Sequence, residues 1–196
     1  MDAGQRLLAV CFDFGDTLAD EASEVKDGEG TTLRAELIPG AAELLGELKR
    51  RGYRLALVAD GRPGTYRNVL RQHGLYDLFD AFAISELVGV EKPDRRIFIH
   101  ALQQLGIAAP DHGRVAMVGN YLARDIKGAN ALGLVSVWLD WAPRRPKQPA
   151  DASEAPDYTI KRPLELLAVI EKLERAGNSA QGFSQISPDA RPLRPP

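Results

Sequence analysis

Apolar residues in this chain fall into short unbroken runs, separated by stretches in which they recur at helical spacing. The run Leu7 to Phe12 has no polar alternation, the pattern of a strand buried on both faces. Tyr53 to Ala59, Ala81 to Ile84, Val115 to Val118 and Val135 to Leu139 repeat it, and Asp157 to Ile160 is a shorter version. Between them lie helical segments. Ala41 to Arg51 follows Pro39-Gly40, carries Leu44, Leu45 and Leu48 on one face, and ends in Arg-Arg and Gly52, so both ends are signalled. Thr65 to His73 closes on Gly74, a segment from Lys92-Pro93 through Gln104 closes on Gly106, and helix-compatible runs extend to Ala131 and over Leu164 to Leu173. Strands alternating with helices predict an α/β fold: a parallel sheet with helices on both faces, in one domain over residues 1–176.

The polar stretch Ala19 to Glu36 interrupts this alternation. Asp27-Gly28 lies there between the short β-compatible runs Glu24-Val25-Lys26 and Thr31-Thr32-Leu33, which predicts a β-hairpin flap. From Gly177 to Pro196 the chain is rich in Ser, Gln, Pro and Gly, and a disordered tail is expected. With 196 residues and a net charge of -2, the chain suits one domain without a broad basic surface, so nucleic acid is not an expected partner. The single Cys11 excludes a disulfide framework and reads as a buried hydrophobe. No charged leader precedes a long apolar segment and no run approaches the roughly 20 residues that span a bilayer, so a cytoplasmic protein without a membrane partner is expected.

The chemistry gathers where strands stop. Asp13 follows the first strand, Asp60 and Gly61 follow the second, Lys92 precedes a helix, and Asn120 and Asp125 follow the Val115 strand. If the strands are parallel, these positions meet at the carboxyl edge, where open α/β sheets bind ligands. Carboxylates with an ammonium among them suit an anionic substrate and a hard divalent cation. No Gly-x-Ser-x-Gly and no Gly-Lys-Ser/Thr loop is present, and His73, His100 and His112 lack metal spacing. Trp138 and Trp141 read as packing residues and Arg124 as a solvated helix residue.

In order and spacing these motifs resemble the haloacid dehalogenase superfamily over roughly residues 7–175. Phe12-Asp13-Phe14-Gly15-Asp16-Thr17-Leu18 is similar to the first motif, Gly89-Val90-Glu91-Lys92-Pro93-Asp94 with Phe98 to the lysine motif, and Gly119-Asn120 through Asp125 with Gly128-Ala129 to the last. The resemblance implies a Rossmann-like three-layer fold and a Mg²⁺-dependent phosphatase, with Asp13 as nucleophile and Lys92 neutralising it. It further implies metal ligation by Asp13, the Gly15 carbonyl, Asn120 and Asp125, and substrate contact by Asp60, Gly61 and Lys92. The Asp13 strand is expected at the sheet's centre, between the Tyr53 and Val115 strands.

Three positions depart from the family pattern. Gly15 stands where a second Asp usually serves as general acid, leaving Asp16, one residue later, as the candidate for that work. Ala59 replaces a Ser or Thr that binds phosphate, and Asn120 replaces an Asp on the metal side. Two readings therefore stay open: a phosphatase with rearranged auxiliaries, and a metal- or phosphate-binding fold that works as an interaction module. There is room for a hairpin flap after Leu18 but for no large cap domain, which implies an open site. Such a site fits a small phosphorylated metabolite, a larger phosphorylated substrate, or closure by a second copy in a homo-oligomer.

Overall fold

The computed structural model describes residues 7–182, with side chains through Arg175. Six strands form one sheet: β1 (Ala9–Phe12), β4 (Arg54–Ala59), β5 (Ala81–Ile84), β6 (Val115–Gly119), β7 (Val135–Leu139) and β8 (Tyr158–Ile160). Their order is β5-β4-β1-β6-β7-β8 and every pairing is parallel. β1 is thus central, flanked by the two expected strands, with Phe12 opposite Leu57 on one side and Val118 on the other.

The unbroken apolar runs reflect burial on both faces. Val10 and Phe12 of β1 join Leu55 and Leu57 of β4 in one cluster, with Leu44, Leu45 and Leu48 of α1 (Ala41–Arg50) and Ile170 of α6 (Leu166–Gly182). The intervening Ala9 and Cys11 face a second cluster with Ile97, Phe98 and Leu102 of α4 (Arg95–Gln104). Burial drives the Cys11 thiol up to about 12, which keeps it protonated and inert.

The flap is the antiparallel pair β2 (Val25–Lys26) and β3 (Thr32–Arg34). It is tied to α2 (Pro63–Gln72): Thr65 Oγ1 accepts from the Thr32 amide at 3.0 Å, and Asn68 Nδ2 donates to the Thr32 carbonyl at 3.1 Å. Between Gly61 and Lys92 the chain forms α2, β5 and the single turn α3 (Ser85–Val88), with no inserted domain.

Two segments differ from the expected pattern. After β6 the chain makes a π turn, Leu122–Ile126, before the short α5 (Lys127–Asn130), rather than one continuous helix. The last helix begins after a 3-10 turn at Pro163–Glu165 and runs to Gly182, past Leu173 and into the stretch expected to be disordered from Gly177. The remainder of that tail, 183–196, lies outside the described residues. Among the described residues no helix is long and apolar enough to cross a membrane.

Candidate active site

Asp13 is the first residue beyond β1, and its amide donates to the Val118 carbonyl at 2.9 Å, adding one rung to the β1–β6 ladder. Its Oδ1 accepts from Lys92 Nζ at 2.6 Å and its Oδ2 from Thr17 Oγ1 at 3.1 Å. Lys92 Nζ also donates to Asp125 Oδ1 at 2.7 Å, while Asp125 Oδ2 accepts from the Tyr121 amide at 2.9 Å. The π turn places that amide over its own Asp125, the kind of local irregularity that often marks a functional position. The Lys92 and Asp125 side chains are 2% and 1% exposed, whereas Asp13 is 14% exposed and faces the cavity.

Asp60 holds this group from behind. Its Oδ1 accepts from the Lys92 backbone amide at 2.9 Å, its Oδ2 from Arg124 Nη1 at 3.1 Å, and its carbonyl from Tyr66 OH at 2.7 Å. Burial by itself would lower the Lys92 ammonium, but Asp125, Asp13 and Asp60 outweigh it and hold it well above its ordinary value, fully charged. Asp125 is pushed up from the usual carboxylate range by burial and then by Asp13, against the pull of Lys92.

One ammonium does not balance these carboxylates, and the surplus negative charge favours a cation. Among the described residues no group of three or more His, Cys, Asp or Glu gathers as a metal cluster. A cation here would therefore take the carboxylates of Asp13 and Asp125 and complete its shell with neutral oxygens, water and substrate, which fits Mg²⁺. Asn120 Nδ2 donates to the Gly15 carbonyl, so two of the remaining expected ligands already meet. Turning the amide over would present two oxygens to one ion. Trp138 Nε1 donates to the Asn120 carbonyl at 3.1 Å and fixes its backbone.

Asp16 is placed differently from the rest. It sits in the left-handed region at φ 52, is 1% exposed, and is not among the residues lining the cavity. Its Oδ1 accepts from the Glu21 amide at 3.2 Å, and its Oδ2 is in an ion pair, not a directed hydrogen bond, with Arg144. The space beside Gly15 is filled instead by Glu21. A Cβ built on Gly15 would lie 2.1 Å from Glu21 Oε1 and 2.7 Å from its Cγ. Arg144 Nη2 donates to Glu21 Oε2 at 2.6 Å and Arg145 Nη2 to Oε1 at 3.1 Å. Burial first, then Asp16, raises the Glu21 carboxyl above its ordinary value against the opposing pull of Arg145 and Arg144.

The cavity has a volume of about 410 Å³, within the range of small-molecule sites, and Lys26, Arg62, Arg124 and Arg145 line it beside Asp13. Arg124 is therefore a cavity residue held by Asp60, not a freely solvated one. It and Arg145 stack on the Tyr121 ring with the guanidinium carbons 5.5 and 4.9 Å from its centroid. Gly61 also lines the cavity, but its amide donates to Ser85 Oγ at 2.9 Å. Glu21, Arg144 and Arg145 escaped the sequence reading because no motif spaces them. The only signal was the missing side chain at Gly15, which marks a gap without saying what fills it.

A carboxylate and a buried ammonium at the carboxyl edge of a parallel sheet, with a second carboxylate from the π turn after the neighbouring strand β6, define a site for anionic substrates on an α/β fold. The chain belongs to the haloacid dehalogenase-like hydrolase family, whose model matches residues 29–133. It is 34% identical over 137 residues to a glyceraldehyde 3-phosphate phosphatase of Methanopyrus kandleri, covering 70% of this chain and 58% of that one. It is 38% identical over 127 residues to a phosphoserine phosphatase of Thermus thermophilus, covering 65% and 48%. The chain thus spans about half the length of these curated relatives. The HAD-hydrolase YfnB of Bacillus subtilis, solved bound to magnesium, superposes with a TM-score of 0.70 at 20% identity, over 85% of this chain and 99% of that one, a likeness of fold.

Proposed function

We propose that the chain is a Mg²⁺-dependent phosphatase that hydrolyses phosphomonoesters through an aspartyl-phosphate on Asp13. The observation that carries this reading is Asp13 itself: a carboxylate facing the cavity, held 2.6 Å from a buried, charged Lys92. A carboxylate so placed is a nucleophile whose attack on phosphorus is not opposed by its own uncompensated charge. Asp13 Oδ2 forms the new bond to phosphorus as the bond from phosphorus to the ester oxygen breaks, and that oxygen leaves with the bonding pair and takes a proton from solvent water. Water then bonds to phosphorus, giving up a proton to solvent, as the bond to Asp13 breaks, which releases phosphate and returns the Asp13 carboxylate. Lys92 spans nucleophile and phosphate throughout, an electrostatic role that needs no reorganisation because Asp125 fixes it.

Asp13, the Gly15 carbonyl, Asn120 and Asp125 are the residues that would hold Mg²⁺, which when bound adds charge neutralisation at the phosphate oxygens. Cations on the cavity wall favour a substrate with a second anionic or polar group, and the family relatives named above act on small phosphorylated metabolites. A small phosphorylated metabolite is accordingly the proposed substrate class. The test is a panel of phosphomonoesters assayed with and without Mg²⁺. Turnover is expected only with the metal, and Asp13→Asn should reduce it by at least about 10³-fold, since an amide is a poor nucleophile. Phosphate binding with no turnover on any ester would leave the interaction-module reading in its place.

A further inference from the structure

The phosphate under transfer is taken by Asp13 and Lys92, so whatever else the substrate carries meets the outer wall of the cavity. That wall holds four cations, Lys26, Arg62, Arg124 and Arg145, against three carboxylates, Glu21, Glu24 and Asp60. One positive charge is left over. Glu29 and Glu91 reach Arg62 and Arg124 from outside at 3.4 and 3.7 Å, but both are mostly exposed, where water screens the pairing. A single surplus charge matches one carboxylate better than a second phosphate, which brings up to two negative charges.

Two of the four cations are set up as a pair. Arg124 comes from the π turn after β6 and Arg145 from the segment after β7, yet both guanidiniums stack on the one Tyr121 ring. Each is tethered at one corner: Arg124 Nη1 donates to Asp60 Oδ2 at 3.1 Å, and Arg145 Nη2 to Glu21 Oε1 and Oε2 at 3.1 and 3.3 Å. A guanidinium carries five N–H donors, so the tethers leave most of each fork unspent. Among the described residues, Arg124 Nε and Arg145 Nη1 make no hydrogen bond to the protein. Arg145 is the most enclosed of the four cations, 27% exposed, and its Nε is buried without a partner, so the protein answers its charge only in part. Lys26 is instead held by Glu24 within the flap at 2.8 Å, and Arg62 is the N-cap residue of α2, with its side chain more exposed. Ring and tether together fix both guanidiniums before a ligand arrives, which lowers the ordering cost of binding a planar anion.

We propose that Arg124 and Arg145, braced on Tyr121, form a carboxylate subsite, and that the preferred substrate is the phosphate monoester of a small hydroxycarboxylic acid. Resting on the phosphatase reading above, this subsite adds the residues that choose among esters. The substrate's phosphate lies at Asp13 and its carboxylate on the two arginine forks, with the carbon skeleton spanning the cavity between them.

The experiment compares 3-phosphoglycerate, glycerol 3-phosphate and glycerol 1,3-bisphosphate as substrates with Mg²⁺. The three share a carbon skeleton and a primary alkyl leaving group, and differ in carrying a carboxylate, a hydroxymethyl or a second phosphate at the far end. The readout is the ratio of kcat/KM between esters, in which a general loss of activity cancels. Wild type should favour 3-phosphoglycerate over glycerol 3-phosphate by at least about tenfold, the worth of one charge-assisted hydrogen bond. Arg124→Gln and Arg145→Gln should each cut that preference by at least about fivefold, chiefly by raising KM for the acid. Arg124→Lys and Arg145→Lys, which keep the charge without the fork, should retain only part of it. Calorimetry on Asp13→Asn, which cannot be phosphorylated and so leaves the esters intact, should give the same order of affinities. Wild-type kcat/KM values for the first two esters within about threefold of each other would overturn the subsite. So would glutamine variants that slow both esters equally, the result of losing a merely structural contact. A preference for the bisphosphate over 3-phosphoglycerate would overturn the carboxylate assignment. Absence of Asp13-dependent turnover on every ester would instead remove the phosphatase reading, and the calorimetric preference, present or absent, would then uphold or overturn the subsite by itself.

Discussion

Lys92 is the residue on which the charge balance of the site turns. It is surrounded by Asp13, Asp125 and Asp60, and its side chain is 2% exposed. Lys92→Met would leave Asp13 and a buried Asp125 without their shared counter-charge. Removing one partner of a buried ion pair typically costs about 3–5 kcal/mol, and a loss of that order is expected in chemical unfolding without metal. The sign of its pH dependence follows from Asp125. A carboxylate raised by burial and by Asp13 binds its proton more tightly folded than unfolded, so its ionisation opposes folding as pH rises from the ordinary carboxylate range through the raised value. Without Lys92 that rise is larger, and the deficit of Lys92→Met should shrink on acidification. A deficit that grows at low pH would contradict this charge assignment. Lys92, Asp13 and Asp125 were legible in the sequence because each is anchored to a strand end or a Lys-Pro turn. Glu21 and Arg145 were not, since their meeting depends on a loop and a distant segment folding back to the same point.

Among the elements, β6 and the turn after it show how packing selects glycine. A Cβ on Gly119 would lie 2.3 Å from Asp125 Cγ, and one on Gly128 would lie 2.3 Å from the Phe98 ring. The first glycine admits the carboxylate and the second admits α4, so the two should separate function from stability. Overpacking costs about 1–3 kcal/mol, and at roughly 2–4 °C per kcal/mol Gly128→Ala should lower the melting temperature by several degrees with little change in the active fraction. Gly119→Ala should displace Asp125 from Lys92 and cut turnover by more than about tenfold at similar stability. Thermal melts and initial rates on both variants decide this, and equal losses of activity would argue against it. The strands were legible to within a residue or two because burial on both faces writes an unbroken apolar run. The π turn was not, because its residues keep a helix-compatible composition while the Tyr121 amide turns to the Asp125 carboxylate. The end of α6 was missed because Gly177 and the polar residues after it match a tail in composition.

Across the whole molecule, sheet order does most of the work of assembly. Placing β1 between β4 and β6 brings residues 13, 60 and 120 to one edge, although they are far apart in the chain. That order was legible from the resemblance and from the alternation of elements. The flap, anchored on α2, and Arg145 after β7 then wall the cavity, with no large cap inserted among the described residues. The chain covers about half the length of its curated relatives. The central claim is that phosphoryl transfer passes through Asp13, and the stereochemical course at phosphorus tests it most directly. With a phosphate ester made chiral by oxygen isotopes and hydrolysed with Mg²⁺, two successive in-line displacements should give net retention. Net inversion, the signature of direct attack by water, would contradict the account.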